Sequence, residues 1–146
     1  MKAIFKVLAT ALLLTMATQS VADEARPYSD GPVVNVSYIK IKAGMFDAYM
    51  KWVATDRKTL MDEYKKAGVI LDWRVYSAQA RSPNEPDLIL TVTYKNMAAF
   101  DGLDDRQDAI LAKVAGSLDK ANAASIKREE MREVLGSELI RELIVK

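Results

Sequence analysis

The chain has 146 residues, half of them hydrophobic, and a formal net charge of +1, which fits one ordinary globular domain. Near-neutral charge gives no electrostatic case for nucleic-acid binding, so no nucleic-acid partner is expected. The chain has neither cysteine nor histidine, which excludes disulfides, zinc and copper sites of the usual kind, and Ser-His-Asp or Cys-His catalysis.

Lys2 and Lys6 precede an apolar run from Val7 to Met16, and Ser20-Val21-Ala22 places small residues around a cleavage point. The pattern predicts a secretory signal peptide over 1–22, too short for a span of about 20 apolar residues. The expected localisation is secreted, in the periplasm, with the mature chain starting at Asp23 and no membrane association after cleavage. No cysteine follows the apolar run, so no lipid is expected there. Residues 23–31 are polar, with Pro27 and Ser29-Asp30-Gly31-Pro32, and predict a flexible lead-in. Residues 32–146 are expected to form a single domain.

Residues 33–42 predict the first strand, with Val34, Val36 and Tyr38 on one face and Asn35, Ser37, Ile39 and Ile41 on the other. Ala43-Gly44 ends it. A long helix follows over 45–67, with Phe46, Tyr49, Met50, Val53, Leu60 and Tyr64 on one face. Asp47 near its start and Lys65-Lys66 near its end suit the helix dipole, and Gly68 suits its end. Asp56 and Arg57 interrupt the apolar stripe. They read as the point where the helix overhangs its sheet, because charged side chains are seldom fully buried.

Residues 69–80 and 87–95 read as a hairpin joined by Arg81-Ser82-Pro83-Asn84-Glu85-Pro86. Leu71, Trp73 and Val75 oppose Asp72, Arg74 and Tyr76; Leu88, Leu90, Val92 and Tyr94 oppose Ile89, Thr91 and Thr93. Asn96 is a plausible cap for a helix from Met97, interrupted at Gly116-Ser117. A further helix is expected over 118–135, stopping at Gly136, with a last strand over 139–145.

The order β-α-β-β-α-β with an extra C-terminal helix predicts an α+β, ferredoxin-like fold. Its helices cover one face of the sheet. The other face is assigned Asn35, Ser37, Ile39, Ile41, Asp72, Arg74, Tyr76, Ile89, Thr91 and Thr93, too polar for a core and too apolar for open water.

The run from Val34 to Gly44, the aromatic-rich helix, the hairpin and Thr91-Val92-Thr93-Tyr94-Lys95-Asn96-Met97-Ala98-Ala99-Phe100 resemble the dimeric α+β barrel superfamily. That group includes antibiotic-biosynthesis-type monooxygenases, NIPSNAP-like proteins and stress-responsive barrel proteins. The resemblance covers about 32–100. It implies a homodimer whose two sheets roll into an eight-stranded barrel, with a lumen that holds side chains or one small ligand. Haem-degrading members use an asparagine on the first strand, a tryptophan ending the third and a histidine on the next helix. Asn35 fits the first position, with Ser37 competing for the register. Tyr94 replaces the tryptophan, and the histidine is missing, so that activity is not expected.

The ligand-binding residues expected in the lumen are Asn35, Ser37, Asp72, Arg74, Tyr76, Thr91, Thr93 and Tyr94. Asp72, Arg74 and Tyr76 alternate along one strand face. They read either as an anion or carbonyl site, with Arg74 as anchor and Tyr76 as proton donor, or, the favoured reading, as an ion pair and a tyrosine inside a wet dimer interface. Asp101, Asp104, Asp105 and Asp108 read as acids suiting a helix start rather than as a calcium site. No phosphate-binding glycine loop is present. No metal and no cofactor are expected, and no residue is singled out as catalytic. The functional readings are a homodimer binding a small organic molecule in its lumen, a cofactor-independent monooxygenase or isomerase using the same lumen, and a non-catalytic structural dimer.

Overall fold

The computed structural model describes residues 26–146. The signal-peptide assignment and the start of the lead-in fall outside the described residues. Four antiparallel strands, β1 (Tyr28–Ile41), β2 (Asp72–Ser77), β3 (Leu88–Tyr94) and β4 (Arg132–Val145), form one sheet in the order β2-β3-β1-β4. Helices α1 (Phe46–Trp52) and α2 (Lys58–Lys66) are joined without a break by a π-helical turn, Val53–Arg57. A 3₁₀ turn (Met97–Phe100), α3 (Leu103–Ala115) and α4 (Leu118–Arg128) complete the helix layer. This is the ferredoxin-like α+β arrangement, with the extra C-terminal helix the sequence predicts.

Register settles which side chains share a face. Val33, Asn35, Ser37 and Ile39 lie opposite Tyr94, Val92, Leu90 and Leu88, and Trp73 and Val75 lie opposite Val92 and Leu90. Directly opposed residues of an antiparallel pair point the same way, so these side chains all face the helices. There Ile39, Leu88 and Leu90 pack with Tyr49 and Val53, while Tyr94 packs with Met61, Tyr64, Val69 and Ile70. The uncovered face carries Val34, Val36, Tyr38, Ile89, Thr91, Thr93, Asp72, Arg74 and Tyr76. Asn35, Ser37 and Ile39 therefore do not share a face with Asp72, Arg74 and Tyr76 as the sequence reading held. Both faces of β1 are rich in β-branched residues, so pattern alone did not fix its phase, and a slip of one residue flips every side chain.

Two boundaries also differ. β1 begins at Tyr28, which pairs with Val145, so residues 28–31 of the expected flexible lead-in are paired strand. β4 begins at Arg132 and α4 ends at Arg128, seven residues earlier than expected. Gly136 is not a helix stop. It lies opposite Tyr38 beside a register shift that leaves Leu135 unpaired, the ordinary place for a glycine at a β-bulge. A second shift lies between Asp30 and Val33, where Gly31 is hemmed in: a Cβ there would meet the Glu142 Cβ at 3.0 Å and its carbonyl oxygen at 3.1 Å. Beyond the end of β3, residues 28–32 and 142–145 continue as a two-stranded ribbon, tied by an Arg141–Asp30 ion pair of 2.7 Å.

Gly116, at φ +85°, ends α3 in the left-handed region, and Ser117 starts α4 by accepting a hydrogen bond from the Lys120 N–H at 3.1 Å. Helix α3 docks where Gln107 donates to the Tyr94 hydroxyl at 3.3 Å and its carbonyl accepts from Tyr64 at 3.4 Å. Tyr64 is 5% exposed. Burial, helped by the Asp108 carboxylate, pushes its phenol from 10 up to about 12. A folded pKa above the unfolded value means this contribution is whole below pH 10 and is lost as pH rises through about 12. Melting curves between those limits should fall more steeply for the natural protein than for Tyr64→Phe, by about 2 kcal/mol over the range. Parallel curves would refute a buried, protonated Tyr64.

Candidate functional site

The uncovered sheet face brings Asp72, Arg74, Tyr76, Thr91 and Thr93 together, as the sequence predicts. Its charges are already partnered. Asp72 accepts from Arg74 Nε and from Lys65 Nζ, each at 3.0 Å. The Lys65 and Arg74 hydrogen bonds hold the Asp72 carboxyl below its usual range, and the Asp72 bond raises Arg74. The Tyr38 hydroxyl donates to Glu138. Asn35, Ser37 and Tyr94 point to the helix side instead. Tyr94 is 4% exposed with its ring centroid 4.7 Å from that of Phe100, and burial raises its phenol.

A second constellation lies inside the helix layer. Tyr49, Val53, Arg57 and Met61 follow one another in steps of four. In an α-helix each such step overshoots a full turn by about 40°, so four in a row drift off one face. The wider π turn at Val53–Arg57 takes back much of that drift. It keeps Arg57 turned inward in the stripe that carries Tyr49, Val53 and Met61. The overhang expected at Arg57 is thus corrected, while Asp56 beside it is exposed.

Arg128 closes α4 and Arg132 opens β4, and the short turn between them sets both beside the same aromatic residues. The Arg128 guanidinium lies 4.6 Å from the Trp52 ring centroid, and that of Arg132 lies 5.8 Å from the Tyr49 ring. The two rings are themselves 5.4 Å apart. Arg132 donates to the Tyr49 hydroxyl at 3.2 Å and pairs with Glu129 at 3.3 Å; Arg128 donates to Ser125 Oγ at 2.8 Å.

The Nε atoms of Arg57, Arg128 and Arg132 are all buried and, among the described residues, without a hydrogen-bond partner. Burial lowers the pKa of Arg57, and the nearby Arg132 and Arg128 lower it further. Arg128 is lowered by burial and then by Arg132. Arg57 and Arg128 line a cleft of about 380 Å³ whose other walls include Trp52, Leu60, Leu111, Val114 and Ala121, with Lys120 also on its lining.

Sequence reasoning noticed Arg57 and misplaced it, and it did not single out Arg128 or Arg132. The available signal was a charged residue in phase with Tyr49, Val53 and Met61. Among the described residues, no group of three acidic, histidine or cysteine side chains is placed to hold a metal ion, and no helix is long and apolar enough to cross a membrane.

No protein-family model matches the chain, and comparison with curated proteins finds no relative. Solved structures do resemble it. HapK from Hahella chejuensis matches at 15% identity over 75% of this chain and 91% of that one, with a TM-score of 0.52. A protein from Shewanella oneidensis matches at 17% identity over 81% and 97%, with a TM-score of 0.51. A dimeric ferredoxin-like protein from an uncultured marine organism matches at 14% identity over 81% and 98%, also at 0.51. At these identities the likeness establishes the fold, and the fold is ferredoxin-like α+β.

Proposed function

We propose that the chain is an exported, homodimeric α+β barrel protein that binds a small organic molecule, one per protomer, in the cleft between α1–α2 and α3–α4. The cleft carries this reading. At about 380 Å³ it has the size of a small-molecule site, and it combines apolar walls with a few convergent polar groups. The open sheet face, expected from sequence to form the ligand lumen, is less suited because its charged groups already bind one another.

The dimer is supported by what the sheet leaves uncovered. Tyr76 and Ile140, which the register puts on that face, are each 47% exposed in the single chain. A two-fold contact between identical sheets would cover them, burying on the order of 2,000 Å². The marine ferredoxin-like neighbour is itself described as dimeric.

Two measurements test the reading. Native mass spectrometry of the protein isolated from its host should find a small molecule at one copy per protomer, lost in Ala121→Trp, which fills the cleft. Retention of the same molecule by the filled variant would rule the cleft out. Export rests on Lys2, Lys6, the apolar run and Ser20-Val21-Ala22. N-terminal sequencing of secreted protein should begin near Asp23, and an intact Met1 would count against it.

A further inference from the structure

Resting on the cleft reading above, we infer that its ligand is an organic anion, a carboxylate carried on an apolar body. Arginine stays protonated at any physiological pH. Arg57, Arg128 and Arg132 therefore bring three positive charges into one partly buried region, and Lys120 adds a fourth at the cleft. Clustered cations of this kind are ordinarily neutralised by carboxylates. Here Glu129 reaches only Arg132, its side chain 55% exposed, and Asp56 on the cleft lining makes no ion pair with the arginines among the described residues. The three Nε donors have no partner among the described residues. A buried donor left unmade is costly, and beyond the effect of burial the arginines lower one another's pKa, so a negative group beside them would be stabilised.

The shape of the surroundings narrows the class. Guanidinium forks match planar oxyanions, donating two parallel bonds to one carboxylate. The Trp52 indole, Leu60, Leu111 and Val114 need apolar surface against them. A free inorganic ion would satisfy the arginines and leave those walls wet, whereas a neutral apolar molecule would fill the cleft and leave the charges unanswered. A carboxylic acid with a short alkyl or aromatic body does both. The Tyr49 and Trp52 rings lie within cation–π distance of Arg132 and Arg128 and restrain their guanidinium groups, so part of the ordering cost of binding is met beforehand.

Octanoate, 1-octanol and inorganic phosphate separate these terms when titrated calorimetrically into the mature protein. Octanoate should bind at least tenfold more tightly than 1-octanol, and more tightly than phosphate. Arg57→Met and Arg128→Met should each remove most of that advantage while 1-octanol binding is kept. The melting temperature of Arg57→Met without ligand should equal or exceed that of the natural protein, because it replaces a charge with no ion-pair partner among the described residues by an apolar chain; this separates lost binding from lost folding. Equal affinities for octanoate and 1-octanol would overturn the anion and leave the cleft reading standing. Phosphate binding as tightly as octanoate would overturn the apolar body. Failure of both octanoate and 1-octanol to bind at millimolar concentration would overturn this inference and the cleft reading together.

Discussion

Replacing Tyr49 by alanine is expected to cost about 3–5 kcal/mol, the range found for removing a large buried aromatic side chain. Domains of this size are stable by only about 5–15 kcal/mol, so much of the protein should unfold or fail to accumulate. Tyr49 is fully buried and packs with Ile39, Val53, Leu88 and Leu90 at the centre of the helix–sheet contact. Its loss would open a cavity between three elements and remove the acceptor for Arg132 at 3.2 Å. Tyr49→Phe separates the two effects. It keeps the ring and removes only the hydroxyl, so it should cost about 1 kcal/mol. Urea unfolding of both variants is the check, and a loss below 1 kcal/mol for Tyr49→Ala would contradict the packing described.

Ile140→Asp is expected to abolish the homodimer. Ile140 lies opposite Val34 on the uncovered face of the sheet and is 47% exposed in the single chain. An aspartate buried there on association would lose its hydration with no counter-charge provided, at a cost of several kcal/mol per protomer that the two-fold axis counts twice. Sedimentation equilibrium at micromolar concentration should show monomer or aggregate for the variant and the proposed dimer for the natural chain. Ile126→Asp makes the same change on α4, 74% exposed in the helix layer, and should leave the dimer intact. A natural chain that sediments as a stable monomer would defeat the dimer outright.

Element order was legible because each element carries its own periodicity: the two-residue alternation of β2 and β3 and the 3–4 spacing around Tyr49, Val53 and Tyr64. The phase of β1 was not. Val33, Val34, Val36 and Ile39 supply apolar residues to both faces, and assigning polar Asn35 and Ser37 to the open side placed them opposite to where the register puts them. The start of β4 was hidden by Gly136, which reads as a helix stop and is in fact next to a bulge. On the uncovered face, Asp72, Arg74, Tyr76, Thr91 and Thr93 were grouped correctly because one hairpin carries them all. The arginine cluster draws on three separate elements. Only the π turn, which no local sequence rule announces, shows that Arg57 belongs with residues more than seventy positions away.

The long final strand gives an isolated protomer a liability of a different kind. β4 is an edge strand of 14 residues, and its outer backbone donors and acceptors have no strand beside them among the described residues. Such an edge templates fibrils unless it is interrupted or covered. Glu133, Glu138, Arg141 and Glu142 interrupt it along most of its length. Leu143-Ile144-Val145 carries no charge and lies on the protruding ribbon. A newly made chain that meets its own kind slowly is exposed to aggregation at that tip, so the yield of soluble protein should depend on how fast correct pairing occurs. Lysine at Ile144 should suppress fibril growth in dilute refolding while weakening assembly.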